Sequence, residues 1–163
     1  ELEGTTSIDA GAEIRDGIKV VASLGSCDEN LWPYDVSKFT VKPSDEVYAE
    51  AKKSIIKQYS RVPVAMHNIK NVLTHKIPIV FGCSLYQSFE TEEVARTGIV
   101  PMPHRKERQI GGHCMVMVGY TKTHFIVRNS WGDGWGDNGY CYMPFDYLIN
   151  TDLADDFWAI FLA

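Results

Sequence analysis

The side chains best suited to chemistry in this sequence are His113 and Asn129, which lie 16 residues apart. His113 precedes the apolar run Cys114–Val118, and Asn129 follows the apolar run Phe125–Val127. A hairpin of these two runs, turning over residues 119–123, would bring the two side chains together. The asparagine oxygen would then accept a hydrogen bond from one imidazole nitrogen, which fixes the tautomer and directs the other nitrogen at a reaction partner.

Trp131 follows Asn129 by two residues, inside a glycine-rich stretch over residues 129–140 that also contains Trp135. An indole ring beside the His–Asn hydrogen bond would exclude water from it, and a hydrogen bond shielded from water is stronger. The sequence therefore predicts that the tryptophan completes a constellation whose reacting group is the histidine.

Helical spacing dominates the first half of the chain. Apolar residues recur at this spacing over Ala12–Leu24, and Gly25 is a typical stop signal. Ser44 is a typical N-cap, and the helix that it begins is predicted to run to about Tyr59. A shorter helix is predicted over about Asn68–Thr74.

Short apolar runs separated by glycine and proline dominate the second half and predict strands. Helices first and strands later indicate an α+β fold rather than alternating βαβ units. The change of pattern near Arg61–Pro63 indicates a boundary between two lobes. The predicted strands contain Ile79–Phe81, Cys114–Val118, Phe125–Val127 and, near the end of the chain, Asp156–Phe161.

The composition is typical of a globular protein, with 163 residues of which 45% are hydrophobic and 23% charged. The net charge is −5 and basic residues are dispersed apart from His104–Arg108, so no nucleic-acid partner is expected. No apolar run approaches the roughly 20 residues of a membrane-spanning helix, so no membrane partner is expected. The acidic and polar N-terminus predicts no signal peptide within the chain.

The four cysteines, Cys27, Cys83, Cys114 and Cys141, form no C-x-x-C pair. Their spacing argues against a zinc or redox motif, while the even count permits two disulfide bonds. Cys83 and Cys141 are predicted to be core residues. The other histidines and the C-terminal aspartates lack the spacing of metal ligands, so neither a metal ion nor a cofactor is expected.

The stretches around His113 and Asn129 resemble the papain- and cathepsin-like cysteine peptidases. That family carries H-A-V-x-x-V-G-Y followed by K-N-S-W-G-x-x-W-G-x-x-G-Y. Residues Arg128–Tyr140 are similar to the second pattern, and cysteine stands at 114 where the family usually has a small residue. The resemblance covers about residues 9–163, because further family patterns match Trp32–Tyr34, Ile77–Val80 and Tyr86–Ile99.

This resemblance implies a papain-like two-lobe α+β fold with a cleft between the lobes. Residues 1–62 would form an incomplete helical lobe, and residues 63–163 an antiparallel, β-barrel-like lobe. His113 would be the general base that pairs with a thiolate, Asn129 would orient it, and Trp131 would cover their contact. The reaction would be hydrolysis of peptide bonds through an acyl-enzyme. The expected partners are a peptide or protein substrate and a propeptide or inhibitor.

No residue of the chain matches the family's nucleophilic cysteine. Counted back from His113, that cysteine is expected about 20 to 40 residues before Glu1, with the oxyanion-hole glutamine further upstream. Cys27 lies only 86 residues before His113 and is followed by Asp28 rather than a tryptophan. Cys114 adjoins His113, and neighbouring side chains of a strand point to opposite faces. The chain alone is therefore predicted to be inactive.

The same resemblance assigns four residues to substrate binding. Gly82 and Cys114 would border the pocket for the second substrate side chain, and Gly112 is assigned to substrate binding without a particular pocket. Gly11 ends the segment Asp9–Gly11, which loosely matches the family's G-G segment, whose backbone pairs with the substrate main chain.

Two alternatives remain open from the sequence. The absent cysteine and glutamine, together with Cys114, also fit a peptidase-like protein that binds peptides without cutting them. An acyltransferase would use the same Cys/His chemistry with an amine acceptor. Because the nucleophile's helix normally fills the interface between the lobes, the isolated chain is expected to expose apolar surface and to be aggregation-prone or partly folded.

Overall fold

The computed structural model describes residue 4, residues 6–8 and residues 11–162, and it has the predicted α+β fold. Asp9 and Ala10 of the predicted substrate-pairing segment lie outside the described residues. The helices are α1 (Ile14–Leu24), α2 (Asp45–Ala51), α3 (Met66–Thr74), α4 (Glu92–Thr97) and α5 (Phe145–Leu148). The strands are β1 (Ile56–Arg61), β2 (Ile79–Tyr86), β3 (Gln109–Tyr120), β4 (His124–Arg128), β5 (Tyr140–Pro144) and β6 (Ala154–Leu162).

The strands form one six-stranded sheet in the order β1-β6-β2-β3-β4-β5. From β6 to β5, each neighbouring pair runs antiparallel. The expected barrel-like closure is wrong, because the sheet is open. Closure would require β1 and β5 to pair with each other, and these edge strands do not pair within the described residues.

The chain divides into two compact units, residues 1–59 with 161–163 and residues 60–160. The lobes expected over residues 1–62 and 63–163 remain a prediction. Within the second unit, every other residue of β2 is buried from Ile79 to Leu85. This alternation is that of a strand with one face in the core. Phe81 on that face stacks on Phe157 of β6, with the ring centroids 5.3 Å apart.

Within the first unit, α1 buries Ile18 and ends at Gly25, as the sequence predicts. Gly25 has a φ of +83°, in the region that favours glycine. A Cβ atom at this position would lie 1.8 Å from the carbonyl oxygen of Ala51. The backbone conformation and the close approach therefore both require glycine at the end of this helix.

Helix α2 begins where the sequence predicts but ends earlier. Ser44 occupies the N-cap position. The helix stops at Ala51 rather than near Tyr59, and Ile56–Arg61 forms strand β1 instead. The amide of Ser54 donates to the carbonyl of Ala51 at 2.9 Å and closes the turn between them. Apolar residues still recur every four positions after this turn, which is the spacing typical of a helix. The β-branched residue Ile56, with which β1 begins, favours a strand instead.

Helices α1 and α3 each begin two residues from their predicted starts, at Ile14 and Met66. Differences of this size are common at helix ends. Among the residues that the structure describes, no helix has the length and apolar character needed to cross a membrane.

Candidate active site

Strands β3 and β4 form the hairpin that the sequence predicts. Met117 pairs with Val127, and the strands are joined by a tight turn from Thr121 to His124. The amide of Thr121 donates to the carbonyl of His124 at 2.8 Å, and the Thr121 hydroxyl accepts from the amide of His124 at 3.0 Å. The turn therefore fixes the register that sets the distance between the far ends of the two strands.

His113 and Asn129 meet at the open end of this hairpin. The imidazole Nε2 lies 2.8 Å from the Asn129 Oδ1 atom, so the hydrogen bond predicted from the sequence is confirmed. Oδ1 also accepts from the backbone amide of Ser130 at 2.8 Å. Since a backbone amide only donates, this second bond identifies Oδ1 as the acceptor and Nε2 as the donor. A neutral His113 then carries its lone pair on Nδ1, which no described residue hydrogen-bonds.

Asn129 is held by its backbone as well as by its side chain. The residue is only 4% exposed, and its amide nitrogen donates to the carbonyl of Gly139 at 3.0 Å. Its side-chain Nδ2 is buried without a hydrogen-bond partner in the described part of the chain. Two donors, His113 Nε2 and the Ser130 amide, thus fix the side-chain oxygen, while the side-chain NH2 group is buried in the surrounding protein.

Trp131 packs against His113, as the sequence predicts. The two ring centroids are 5.2 Å apart, with the planes tilted by 37°. Trp131 is itself supported by Phe89, at 5.6 Å, and by Trp135, at 5.2 Å. Phe89 is 1% exposed, whereas Trp131 is 40% exposed. The Trp131 indole therefore covers one side of the imidazole. It packs on neighbouring aromatic rings, of which Phe89 is buried, and part of it is exposed to solvent.

Cys83 is the cysteine that pairs directly with His113 across strands β2 and β3. The residue is 5% exposed, and its burial raises the pKa of the thiol to about 12. Burial likewise raises the pKa of the Cys141 thiol to about 12. Both are core residues, as the sequence predicts. A thiol with so high a pKa is almost entirely protonated near neutral pH and is a poor nucleophile.

Cys114 lies on the opposite face of β3 from His113. It pairs with Gly82 of β2, and Gly82 pairs in turn with Asp155 of β6. Although Cys114 is exposed as a residue, partial desolvation of the sulfur raises its thiol pKa, and the carboxylate of Asp156 adds to the shift. The predicted substrate residues Gly82 and Cys114 are therefore neighbours on one outward-facing surface.

The remaining residues named from the sequence differ in exposure and in the unit to which they belong. Gly112 is exposed on β3 next to His113, with no atom within 4 Å of a Cβ placed there. Gly11 is exposed with a φ of +73°, and Cys27 is half-buried; both belong to the first unit. All four cysteines are free thiols, so the two disulfide bonds that the even count permits are not formed.

Three groups that hold the His–Asn pair were not identified from the sequence. They are the amide of Ser130, the carbonyl of Gly139 and the ring of Phe89. Two are backbone atoms, which every residue has, so no residue type indicates them. The glycine-rich stretch after Asn129 was the available signal, because Gly139 has a φ of +83° and brings its carbonyl close to the strand.

Sequence comparison finds a family match along most of the chain. The sequence profile described as "Papain family cysteine protease" matches residues 10–155. A peptidase C1-like protein of Acanthamoeba polyphaga mimivirus is 44% identical over 169 residues, which cover 98% of this chain and 54% of that protein. Peptidase 1 of Euroglyphus maynei is 28% identical over 141 residues, covering 81% of this chain and 41% of that protein. The chain thus spans about half the length of these relatives.

Solved structures share the fold. Xylellain, a cysteine protease from Xylella fastidiosa, superposes with a TM-score of 0.89 at 40% identity, covering 98% of this chain and 65% of that one. A cysteine protease of Carica candamarcensis superposes with a TM-score of 0.65 at 16% identity, covering 100% of this chain and 73% of that one. The second likeness is one of fold alone.

Proposed function

Because this chain belongs to the papain family of cysteine proteases, we propose that it carries the acid–base half of a site that hydrolyses peptide bonds. The observation that carries the proposal is the hydrogen bond from His113 Nε2 to Asn129 Oδ1. It leaves Nδ1 as the basic nitrogen of the ring. Because the family consists of proteases, the proposed substrate is a peptide or protein. The proposed reaction is acyl transfer to a thiolate and then to water.

In the proposed mechanism, Nδ1 of His113 takes the proton of the nucleophilic thiol. The thiolate adds to the scissile carbonyl, and the imidazolium then gives its Nδ1 proton to the leaving amine, which produces a thioester. Nδ1 next takes a proton from water, and the hydroxide adds to the thioester carbonyl and displaces the thiolate, which forms the peptide acid. The Nδ1 proton then returns to the thiolate and restores the thiol. Asn129 Oδ1 accepts from Nε2 throughout, so the imidazolium keeps a charge-assisted hydrogen bond while it exists.

We place the nucleophilic cysteine and the oxyanion-hole glutamine on a segment upstream of residue 1, and we propose that the 163-residue chain alone is inactive. The properties of the cysteines support this placement. Cys83 and Cys141 are buried with raised thiol pKa values, and Cys114 points away from His113. Cys27 lies in the first unit and lacks the sequence context of the nucleophile. A propeptide or inhibitor that imitates a peptide would bind where the substrate binds.

The test is peptide hydrolysis by the complete protein that contains this chain. His113→Ala is expected to lower kcat/KM by about 10²- to 10⁴-fold, the usual contribution of a general base. His124→Ala is the matched control, because His124 lies in the hairpin turn and contacts the Thr123 hydroxyl. We expect this variant to keep activity within about twofold. Unchanged hydrolysis by His113→Ala would exclude the proposed role.

Two further outcomes separate the alternatives. A wild-type protein that binds peptides but never hydrolyses them would support the non-catalytic binding protein. Product release only after addition of an amine would support the acyltransferase. Reading about 60 codons upstream of residue 1 tests the position of the nucleophile independently, because a glutamine followed by a cysteine at the start of a helix is expected there.

A further inference from the structure

The last residue of β4, Arg128, binds the glycine-rich segment that follows Asn129. Its Nη1 donates to the carbonyl oxygen of Asn138 at 3.0 Å. Its guanidinium carbon lies 4.7 Å from the centroid of the Tyr140 ring, in a cation–π contact. One side chain therefore contacts residues on both sides of Gly139, through a hydrogen bond and through ring stacking.

Gly139 lies directly against this guanidinium group. A Cβ atom at Gly139 would be 3.1 Å from both the carbon and a nitrogen of the guanidinium, and 3.0 Å from the carbonyl oxygen of Gly132. The amide of Gly139 donates to the carbonyl of Trp135 at 2.7 Å. The absence of a side chain at residue 139 therefore lets the guanidinium approach this segment closely.

The same glycine supplies the acceptor for the Asn129 backbone. Its carbonyl oxygen accepts from the Asn129 amide at 3.0 Å, and the Asn129 side chain accepts from Nε2 of His113 at 2.8 Å. A continuous series of contacts thus runs from Arg128 through the Asn138–Tyr140 segment to Asn129 and His113. Arg128 has no direct contact with His113 among the described residues.

We propose that Arg128 is a positioning residue, which holds the Asn138–Tyr140 segment so that the Gly139 carbonyl fixes Asn129 in the orientation that His113 requires. The inference rests on the proposed role of His113 and deepens it. The physical reason is that Asn129 has one backbone bond and one shared side-chain oxygen to fix it, while its Nδ2 has no hydrogen bond within the described residues. Loosening the segment therefore removes one of few restraints on the oxygen that aligns the imidazole.

The experiment compares Arg128→Met, Arg128→Lys and a control, Arg61→Met, in the complete protein. Arg61 is a matched control because it is also an exposed strand arginine that bonds a polar partner, Asp156, and lies 5.3 Å from an aromatic centroid, that of Trp158. It has no contact with the segment that follows Asn129 among the described residues. Two quantities are measured by NMR: the solvent exchange rates of the His113 Nε2–H proton and of the Asn129 amide proton.

Arg128→Met is expected to accelerate both exchanges by about tenfold and to lower kcat by about the same factor with KM little changed. Arg128→Lys keeps the charge and one donor, so it is expected to restore most of the wild-type behaviour. Arg61→Met is expected to leave both exchange rates and kcat unchanged, even where it lowers the melting temperature. If Arg128 only stabilised the fold, Arg128→Met would behave like Arg61→Met and would leave both exchange rates and kcat unchanged.

Failure of this inference can be distinguished from failure of the proposed function. If Arg128→Met leaves both exchange rates at their wild-type values, Arg128 does not position Asn129, whatever His113 does. If the exchange rates rise while His113→Ala keeps full activity, the positioning holds and the proposed catalytic role of His113 is wrong.

Discussion

The two faces of strand β3 differ sharply where the strand passes His113. On the inner face, His113 is bound by Asn129 and packed against Trp131, and the next inward residue, Met115, is 2% exposed. On the outer face, Cys114 and Gly112 are exposed, and open space surrounds a Cβ placed at Gly112. One strand therefore presents a tightly held group on one side and an open surface on the other.

This contrast shows how a single strand of 12 residues can separate two tasks. Side chains alternate along a strand, so a group that must keep its orientation and an open surface can occupy adjacent residues. Substitutions on the inner face should damage chemistry, and substitutions on the outer face should change access or binding. Thiol labelling tests whether the two faces differ in exposure, and the pH dependence of stability tests the burial of the inner thiols. The Asn129 variant then tests the inner face, and the Gly112 variant tests the outer face.

The largest expected difference is in thiol reactivity. Cys114, on the outer face, should react with a maleimide at pH 8, whereas Cys83 and Cys141, inside, should react about 10³-fold more slowly or only on unfolding. The cause is burial, which raises the pKa of both inner thiols to about 12. Mass spectrometry of the labelled cysteines measures the rates. Equal labelling of Cys83 and Cys114 in folded protein would show that the inner face is not closed.

The same thiols give stability a pH dependence with a definite sign. Unfolded thiols ionise near their ordinary pKa of 9.0, while Cys83 and Cys141 in the folded chain stay protonated to about 12. The unfolded state therefore binds fewer protons between these values, and the free energy of unfolding falls as the pH rises through this range. Unfolding midpoints in urea should decrease from pH 9 upwards.

An intermediate effect is expected from Asn129→Ala on the inner face. The variant removes a hydrogen bond to a group that becomes charged, and such bonds contribute about 1.5–3 kcal/mol, which corresponds to a loss of about 10- to 150-fold in kcat. Asn71→Ala, on an exposed part of α3, is the control and should change kcat by less than about twofold. Steady-state hydrolysis by the complete protein measures both. If the two variants behave alike, the hydrogen bond has no catalytic role.

The smallest effect is expected on the outer face. Gly112→Ala adds one methyl group in open space, so the sheet should fold normally. If the outer face binds substrate, KM should rise about fivefold to tenfold while kcat is maintained, the lower end of the effect that one methylene has in a binding site. Gly17→Ala, at an open position of α1, is the control. A fall in kcat without any change in KM would assign Gly112 to the inner-face chemistry instead.

The His113–Asn129 contact could be predicted from the sequence because it depends on only a few local features of one hairpin. Two apolar runs, a turn of defined length and the alternation of strand side chains are enough to bring these residues together. The residue types then indicate the hydrogen bond. The exposure of Cys114 and the burial of Cys83 follow from the same alternation.

Other parts of the fold could not be predicted because they depend on tertiary contacts. The apolar residues of β1 continue the helical spacing of the α2 sequence, so the spacing alone does not show where the helix ends. The turn at Ser54 between the two elements is stabilised by the amide of Ser26, which donates to the Ser54 carbonyl at 3.2 Å. The Arg128 contacts depend on how the glycine-rich segment folds back onto β4. Whether the sheet closes depends on which strands lie at its edges, and the periodicity of single strands does not determine that order.

His113 is proposed here as the base that ionises the nucleophilic thiol. The most direct measurement is the pH dependence of inactivation by iodoacetamide, for the complete protein and its His113→Ala variant. A thiol paired with an imidazolium is expected to react as a thiolate even near pH 5, whereas the variant should react appreciably only as the pH approaches the ordinary pKa of a free cysteine, about 8.5 to 9. Coincident profiles for the two proteins would contradict the claim.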